Sequence, residues 1–299
     1  VKRIEEKKGC KIMIYVIVGP TGVGKTAMSI ALAQQLNAEI VNADSMQVYR
    51  TFDIATAKIK EEEKVGIPHY LFDIKDPWED YSVYDYQKDA RRVIAEIFEK
   101  GKNVILVGGT GFYIKAALYD FDFQEETTSC DYSAYTTEEL YQKALSIDPS
   151  CSIHPNNRRR LERFLEKAKQ NSFPSRPPRP LYDFRVIGLT TDRAQLYTKI
   201  EKRVDQMVEE GLLEEAKKIY DSHIRSKAVL TAIGYKELFP YFDGKCSLEE
   251  ALDAIKRNSK RYAKRQYTYF RHQLPVTWFL VDYEDFSKTI QEVLSFLSN

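Results

Sequence analysis

The sequence predicts an α/β fold with a doubly wound parallel sheet, because strand-like and helix-like segments alternate along its first third. Residues 14–18 form a continuous apolar run, which is typical of a strand buried on both faces. A helix-like segment follows this run directly, and the same succession returns later in the chain. With 299 residues and 43% hydrophobic side chains, the chain can bury a sizeable core.

The predicted elements follow in order along the chain. Residues 26–36 are expected to form a helix, and residues 84–100 a second helix that Gly101 ends. Two late strand-like segments are expected to return to the same sheet, with a largely helical chain between them. The strands are predicted at residues 14–18, 39–42, 69–74, 104–107, 184–189 and 277–281.

The chain is expected to divide into a core and an insertion. Residues 1–120 and 181–299 are assigned to the core, which ends in a helical C-terminal part. Residues 121–180 are expected to form a mostly helical insertion. Its last part, residues 171–181, contains four of the eleven prolines and is predicted to be an extended connector.

The composition argues against several classes of protein. A net charge of +1 does not suit a uniformly basic nucleic-acid-binding protein. The first eleven residues are mostly charged and no apolar run approaches ~18 residues, so neither a secretory signal nor a membrane span is expected. The cysteines form no CxxC pair, which argues against a disulfide framework or a zinc site and favours a reduced, cytoplasmic protein. They are Cys10, Cys130, Cys151 and Cys246.

Positive charge is nevertheless concentrated in two segments. Residues 156–180 carry a net charge of +6, and residues 256–272 carry +7. Because the whole chain carries only +1, the remaining 257 residues sum to −12. Two such basic segments on a nearly neutral chain indicate a polyanion that binds at a defined place.

A phosphate-binding loop is the most specific motif. It matches the pattern GxxxxGK followed by Ser or Thr, and it lies between a predicted strand and a predicted helix. Backbone N–H groups and the helix start are expected to bind phosphate oxygens, with Lys25 adding a charge and Thr26 a ligand for Mg²⁺. The core is therefore predicted to resemble P-loop NTPases. The predicted phosphate-binding residues are Gly19, Pro20, Thr21, Gly22, Val23, Gly24, Lys25 and Thr26.

One feature of nucleotide-hydrolysing P-loop proteins is missing. Residues 104–107 are the best candidate for the strand that usually ends in a Mg²⁺-binding Asp. They are followed by Gly108-Gly109-Thr110-Gly111, with no carboxylate. This weakens the case for a nucleotide motor or switch and leaves open a ligand with a simpler diphosphate group.

Asp44 and Arg203 are two further candidates. Asp44 follows the strand predicted at 39–42, at the strand end that faces the ligand in a doubly wound sheet, so it is a candidate general base. A role as a helix cap or turn residue stays open. Arg203 falls within the apolar stripe of a helix predicted at 193–208, where its partner would be a diphosphate or an internal salt bridge.

The helix predicted at residues 248–270 has two different faces. At about 100° per residue, its apolar side chains gather on one side and the basic residues fall on the other. Residues 256–272 contain no acid, so this second face is predicted to be purely cationic. The cluster Arg158-Arg159-Arg160 forms a second basic edge. Both favour binding of a nucleic acid.

Together these segments resemble the tRNA dimethylallyltransferase family, also called the tRNA isopentenyltransferases. The match covers nearly the whole chain in the family's order. It implies transfer of a dimethylallyl group from dimethylallyl diphosphate to N6 of the adenosine 3′ of the anticodon in tRNA. The matching stretches are GPTGVGKT (19–26), DSMQVYR (44–50), DIATAK (53–58), GIPHYLFDI (66–74), LVGGTGFYI (106–114), IHPNNRRR (153–160), RVDQMVEEGL (203–212), AIGYKE (232–237) and RYAKRQYTYF (261–270).

The resemblance also implies roles for single residues. Lys25, Thr26 and Arg203 match diphosphate contacts, Thr21 matches a residue that closes the reaction channel, and Asp44 matches the general base. Mg²⁺ is the expected cofactor, the tRNA anticodon stem-loop the expected partner, and the insertion that holds tRNA is expected to be shortened. A monomer is expected. The residues expected to contact tRNA, with Lys264 added from the basic face, are Asp44, Ser45, Met46, Gln47, Thr110, Arg159, Arg160, Leu161, Glu162, Arg163, Thr231, Ala232, Ile233, Gly234, Tyr235, Lys236 and Lys264.

Two other functions stay open on the residues alone. A P-loop kinase acting on a small metabolite would explain the phosphate-binding loop but leave both basic segments without a role. An RNA-binding P-loop NTPase would explain the basic segments but lacks the usual strand-end Asp.

Overall fold

The computed structural model describes residues 12–123, 130–170, 173 and 176–298. The charged N-terminal segment, residues 1–11 with Cys10, lies outside the described residues, and so does part of the predicted connector. The described part of that connector contains no helix. The chain divides into two units, of which Asp120–Arg179 is the smaller, within one residue of the predicted boundaries.

The described residues of the larger unit include six parallel strands, which confirms the predicted doubly wound sheet. The strand order is β3-β2-β4-β1-β5-β6, so the first strand lies centrally between the fourth and the fifth. The strands are β1 (Ile14–Val18), β2 (Ala38–Asn42), β3 (His69–Tyr70), β4 (Asn103–Val107), β5 (Phe184–Thr190) and β6 (Val276–Leu280).

Helices cover both faces of this sheet. Val16 and Leu106 point to one face, where they pack against α2 (Val83–Glu99) and α3 (Gly111–Leu118). The neighbouring residues in β1 and β4 point to the other face, towards α1 (Lys25–Gln35) and α11 (Phe286–Ser298). Because both faces are buried, β1 is apolar along its whole length and β4 is apolar after Asn103.

The C-terminal part is helical, as predicted, and has its own apolar core. This core joins helices to the segment that follows β2, through residues such as Val48, Phe52 and Tyr235. It lies beside the carboxyl ends of the strands, since β2 leads directly into it. The helices are α6 (Arg193–Glu209), α7 (Leu212–Asp221), α8 (Lys227–Thr231), α9 (Tyr235–Phe242) and α10 (Leu248–Gln273).

The strand predicted at 69–74 was too long. β3 contains only His69 and Tyr70. Leu71 and Asp73 adopt φ values of 63° and 53°, in the left-handed region, so the extended chain is interrupted there. Asn42 donates a side-chain hydrogen bond of 2.9 Å to the Leu71 carbonyl, which ties this turn to the end of β2.

A buried carboxylate lies near the start of β2. The Glu39 side chain is 3% exposed and accepts hydrogen bonds from Lys100 (2.8 Å), Lys102 (2.7 Å) and the Tyr70 hydroxyl (2.7 Å). Burial alone would raise the pKa of Glu39, but these three donors outweigh it and lower the pKa to about 2. Glu39 therefore forms structural ion pairs with Lys100 and Lys102 near the amino ends of the strands, whereas the phosphate-binding loop lies at their carboxyl ends.

The smaller unit is a helical hairpin, which agrees with the predicted insertion. Its helices are α4 (Thr137–Ile147) and α5 (Arg158–Lys169). They enclose a small core that includes Leu140, Leu161 and Leu165. No helix within the described ranges has the length and hydropathy that a membrane span requires.

Candidate active site

The phosphate-binding loop connects β1 to α1, as the motif predicts. Gly22 and Gly24 have φ values of 83° and 95°, in the region that favours glycine. The loop turns its Lys25 side chain back on itself, and Nζ donates to the carbonyls of Gly19 (3.0 Å) and Pro20 (2.9 Å). The ammonium group is therefore already held at the loop before any ligand arrives.

A cavity of about 510 Å³ opens beside this loop, at the carboxyl ends of the strands. It brings together the phosphate-binding loop and the C-terminal helices, because residues of α6 and α10 line it as well. Apolar side chains such as Ile200, Met207 and Ile255 line part of it. The predicted site residues that line it are Thr21, Gly22, Gly24, Lys25, Thr26, Asp44, Ser45, Met46, Gln47, Arg203, Thr231, Ala232, Ile233, Gly234 and Lys236.

Lys25 and Arg203 are buried cations that line this cavity. Burial lowers the pKa of Lys25 to about 8, the positive charge of Arg203 adds to the decrease, and Asp44 opposes it. Burial also lowers the pKa of Arg203, against the raising effects of Asp44 and Glu210. Because burial disfavours both positive charges, the cavity favours an anionic ligand.

Arg203 contacts the phosphate-binding loop directly. Its guanidinium donates a hydrogen bond of 3.1 Å to the Thr21 hydroxyl. Among the described residues, no carboxylate lies within ion-pair distance of Arg203, so the alternative of an internal salt bridge is not found. Its place in an apolar stripe is confirmed, since Ile200 and Met207 are buried on either side.

Asp44 is held in a turn and also faces the cavity. Its backbone N–H donates to the Asn42 side chain (2.8 Å), and its Oδ1 accepts the Met46 N–H (3.0 Å). The turn role that stayed open on the sequence is thus present. A second role for Asp44 is also open, because Asp44 lines the cavity. Its other oxygen, Oδ2, lies beside Gly109, 3.1 Å from where a Cβ on Gly109 would be.

Several residues that are predicted to contact tRNA have buried side chains. Leu161 is 0% exposed in the core of the smaller unit, so its side chain cannot reach RNA at the surface. Tyr235 and Ala232 are 0% and 2% exposed because they belong to the C-terminal helical core. Thr110 does not line the cavity, but its hydroxyl accepts the Ser45 N–H at 2.9 Å and supports that loop.

The predicted cationic face of α10 is only partly free. Lys256 pairs with Asp205 of α6 at 2.6 Å, and Lys260 pairs with Glu201 of the same helix. The prediction of a purely cationic face was wrong because it considered α10 without its neighbour. The basic residues of α10 that remain exposed are Arg257, Arg261, Lys264, Arg265 and Arg271.

The basic edge of α5 shows the same partial neutralisation. Arg158 pairs with Glu162 at 2.7 Å and also donates to backbone carbonyls, so it has a structural role. The pairing also engages Glu162, whose negative charge would repel a phosphate. Arg159, Arg160 and Arg163 are exposed.

Sequence reasoning missed two side chains that organise the site. Gln266 of α10 is 5% exposed and hydrogen-bonds to Thr21 and Gly109. Glu215 accepts three successive backbone N–H groups, of residues 53–55, and the Tyr235 hydroxyl. Gln266 could have been noticed, since a glutamine inside an apolar stripe raises the same question as Arg203 does.

The loop that Glu215 holds is part of the cavity wall. Gln47 donates from its side chain to the Thr56 carbonyl at 3.0 Å, which fixes the orientation of its amide. Glu215 therefore anchors residues 53–55, and Gln47 anchors residues 56–57. This explains how a segment without helix or strand can form a defined wall.

The donor set fits Mg²⁺ when it is combined with phosphate oxygens of a ligand. Thr26 offers a hydroxyl in the exposed first turn of α1 and lines the cavity. The described residues contain no group of three or more His, Cys, Asp or Glu that could hold a metal alone. Mg²⁺ commonly binds through few protein oxygens and the phosphates of its substrate.

Comparisons with known proteins agree on one family. A family model described as IPP transferase matches residues 47–273. The tRNA dimethylallyltransferase of Halalkalibacterium halodurans is 48% identical, and the match covers 96% of this chain and 97% of that protein. The protein of the same name from Anoxybacillus flavithermus is 46% identical, with 95% and 96% covered.

Solved structures give the same result. The tRNA isopentenylpyrophosphate transferase of Bacillus halodurans superposes with a TM-score of 0.77 at 48% identity, covering 96% of each chain. A eukaryotic dimethylallyltransferase, described as acting on tRNA, has a TM-score of 0.82 at 27% identity, covering 97% of this chain and 80% of its own.

Proposed function

This chain belongs to the IPP transferase family, and on that premise we propose how its cavity acts on tRNA. The reaction is transfer of a dimethylallyl group from dimethylallyl diphosphate to N6 of the adenosine 3′ of the anticodon. The observation that supports it best is one cavity that contains three features: an apolar wall, the Asp44 carboxylate and a diphosphate cradle, by which we mean the phosphate-binding loop with Lys25 and Arg203. The kinase and NTPase alternatives are not favoured by the family assignment.

The phosphate-binding loop would hold the leaving group. Departure of diphosphate from the allylic carbon places negative charge on the bridging oxygen. Lys25, Arg203 and the loop N–H groups would stabilise that charge where it develops. The Thr21 hydroxyl accepts a hydrogen bond from Arg203, and Thr21 lines the same cavity.

Mg²⁺ would be held by the Thr26 hydroxyl and the diphosphate oxygens. When bound there, it would neutralise part of the charge on the leaving group. The protein residues supply the remaining positive charge and the orientation.

Asp44 would act on the acceptor. The exocyclic N6 of adenine is a weak nucleophile because its lone pair is delocalised into the ring. As the N6–C bond forms and the C–O bond to diphosphate breaks, a proton must leave N6, and the Asp44 carboxylate can take it. Since Oδ1 accepts the Met46 N–H, we assign this role to Oδ2, which lies beside Gly109.

The acceptor adenine must enter the cavity from a stacked anticodon loop. A base that is to react has to be flipped out of its stack, and single-stranded loops permit this at low cost. We propose that the exposed cations of α10 and of α5 bind the phosphates of the anticodon stem-loop. A monomer in the cytoplasm, predicted from the sequence, stays a prediction.

The test is a reaction with defined RNA. The purified chain is incubated with dimethylallyl diphosphate, Mg²⁺ and an unmodified tRNA, and the digested nucleosides are analysed by mass spectrometry. A matched tRNA with guanosine in place of the target adenosine serves as the control. N6-dimethylallyladenosine in the first RNA alone supports the proposal. Its absence from both, with the chain folded, contradicts it.

A further inference from the structure

Gln266 bridges three segments that are far apart in the sequence. Its Oε1 accepts the Thr21 N–H of the phosphate-binding loop at 2.9 Å. Its Nε2 donates to the carbonyl of Gly109, just beyond β4, at 3.1 Å. The side chain itself comes from α10 and is 5% exposed. Both ends of one buried amide are therefore used, on two loops of the cavity wall.

The fit at Gly109 is tight. A Cβ at this position would lie 2.2 Å from the Gln266 Nε2, which is closer than any non-bonded contact allows. The same Cβ would lie 3.1 Å from the Asp44 Oδ2. The Gln266 amide thus occupies the space that a side chain at Gly109 would need, directly beside the carboxylate of the site.

The hydrogen bond to Thr21 has a consequence for the diphosphate cradle. With its N–H held by Gln266, Thr21 has a fixed backbone orientation, and its hydroxyl accepts the hydrogen bond from Arg203 at 3.1 Å. Without Gln266, the Thr21 N–H would lose its partner inside a partly buried loop. Peptide rotation at Thr21 would then move the hydroxyl away from Arg203.

We propose that Gln266 is a positioning residue for the reaction, and that it acts through Thr21 and Gly109. This inference rests on the proposed function for its kinetic part. Gln266 sets the distance between the diphosphate cradle on one side and the Asp44 carboxylate on the other. Small displacements between reacting groups have large effects on rate, so its loss should appear in the chemical step.

The first test compares Gln266→Met with a matched change in the same helix. Gln273→Met places the same side chain at an exposed position of α10, away from the cavity. We expect the single-turnover rate constant of Gln266→Met to fall about tenfold or more, with KM for tRNA within about threefold of wild type. A rate constant equal to that of Gln273→Met would overturn the proposal.

A second variant separates positioning from a structural effect. In Gln266→Glu, a protonated carboxyl can accept from the Thr21 N–H and donate to the Gly109 carbonyl, whereas a carboxylate cannot donate. Burial near the Asp44 carboxylate should raise the pKa of the introduced carboxyl, so that a protonated fraction is present at pH 6. We expect the rate of Gln266→Glu relative to wild type to exceed that of Gln266→Met at pH 6 and to decline towards pH 8. A ratio no better than that of Gln266→Met at any pH would contradict the proposal.

A binding measurement keeps the inference distinguishable from the proposed function. Calorimetry with inorganic diphosphate and Mg²⁺ requires no tRNA and no reaction. We expect Gln266→Met to weaken diphosphate binding about fivefold or more, because Thr21 and Arg203 lose their arrangement. If wild type makes no prenylated tRNA but this difference is present, the proposed function fails and the role of Gln266 at the loop stands. Equal diphosphate binding in both proteins would overturn that role.

Discussion

Replacing Lys25 tests whether its ammonium group gains a proton when a diphosphate binds in the cavity. The pKa of Lys25 is about 8, so at pH 8 about half of the ammonium groups are neutral in the free protein. A diphosphate next to Nζ favours the charged form, so binding at pH 8 should take up about half a proton per site at Lys25. At pH 6.5, where Lys25 is already protonated, this uptake should nearly vanish.

Turnover of Lys25→Met should fall about 10²-fold or more, as after loss of one charge-stabilising contact.

The proton uptake is measured by calorimetry of dimethylallyl diphosphate binding in two buffers that differ in ionisation enthalpy. Titration of the ligand itself is common to all proteins, so the difference between wild type and Lys25→Met isolates Lys25. Lys25→Arg is the control that stays charged at pH 8, and it should bind without the extra proton. Identical uptake in wild type and both variants at pH 8 would refute the reasoning.

Three further predictions concern separate parts of the molecule. Asp44→Asn should lower the single-turnover rate about 10²-fold with tRNA affinity within a few-fold, since Asn cannot take a proton; an unchanged rate would leave Asp44 only its turn role. Glu39→Gln should lower the free energy of unfolding, measured in urea at pH 7, by about 1–2 kcal/mol. Because the pKa of Glu39 is lowered in the folded protein, the difference between the two proteins should shrink as the pH falls from about 4.5 towards 2. A difference that stays constant with pH would contradict this reasoning. The third change neutralises three exposed cations together, Arg159, Arg160 and Lys264. It should reduce the slope of log tRNA affinity against log salt concentration by about two units without changing diphosphate affinity. An unchanged slope would show that these residues do not bind RNA.

Local patterns were sufficient to predict the sheet and the phosphate-binding loop. β1 and residues 104–107 of β4 are apolar because helices cover both faces of the sheet, and that pattern is visible in the sequence. The prediction at 69–74 was too long because hydropathy does not report the left-handed backbone of Leu71 and Asp73. Such a turn depends on tertiary hydrogen bonds, here from Asn42.

Contacts between distant helices could not be predicted from the sequence. The basic face of α10 loses two of its free charges to Glu201 and Asp205, which belong to α6. Likewise, the hydrogen bonds of Gln266 and Glu215 reach loops more than a hundred residues away. A helical wheel shows which side of a helix packs, but it does not show which residues it packs against.

Burial also separates residues that the resemblance treats alike. The stretch 231–236 was expected to contact tRNA as a unit. Within it, Tyr235 belongs to the helical core, whereas Thr231 is exposed and Lys236 is partly so. A prediction made on a contiguous stretch therefore includes residues whose exposure differs widely.

The central claim is that one cavity joins cleavage of an allylic diphosphate to modification of an RNA base. It is tested most directly by measuring released diphosphate and prenylated nucleoside in the same reaction, with and without an anticodon stem-loop RNA. The account predicts equal amounts of the two products and negligible diphosphate release without RNA, because the acceptor N6 must displace the leaving group. Diphosphate release that is as fast without RNA, or release in large excess over the modified nucleoside, would contradict it.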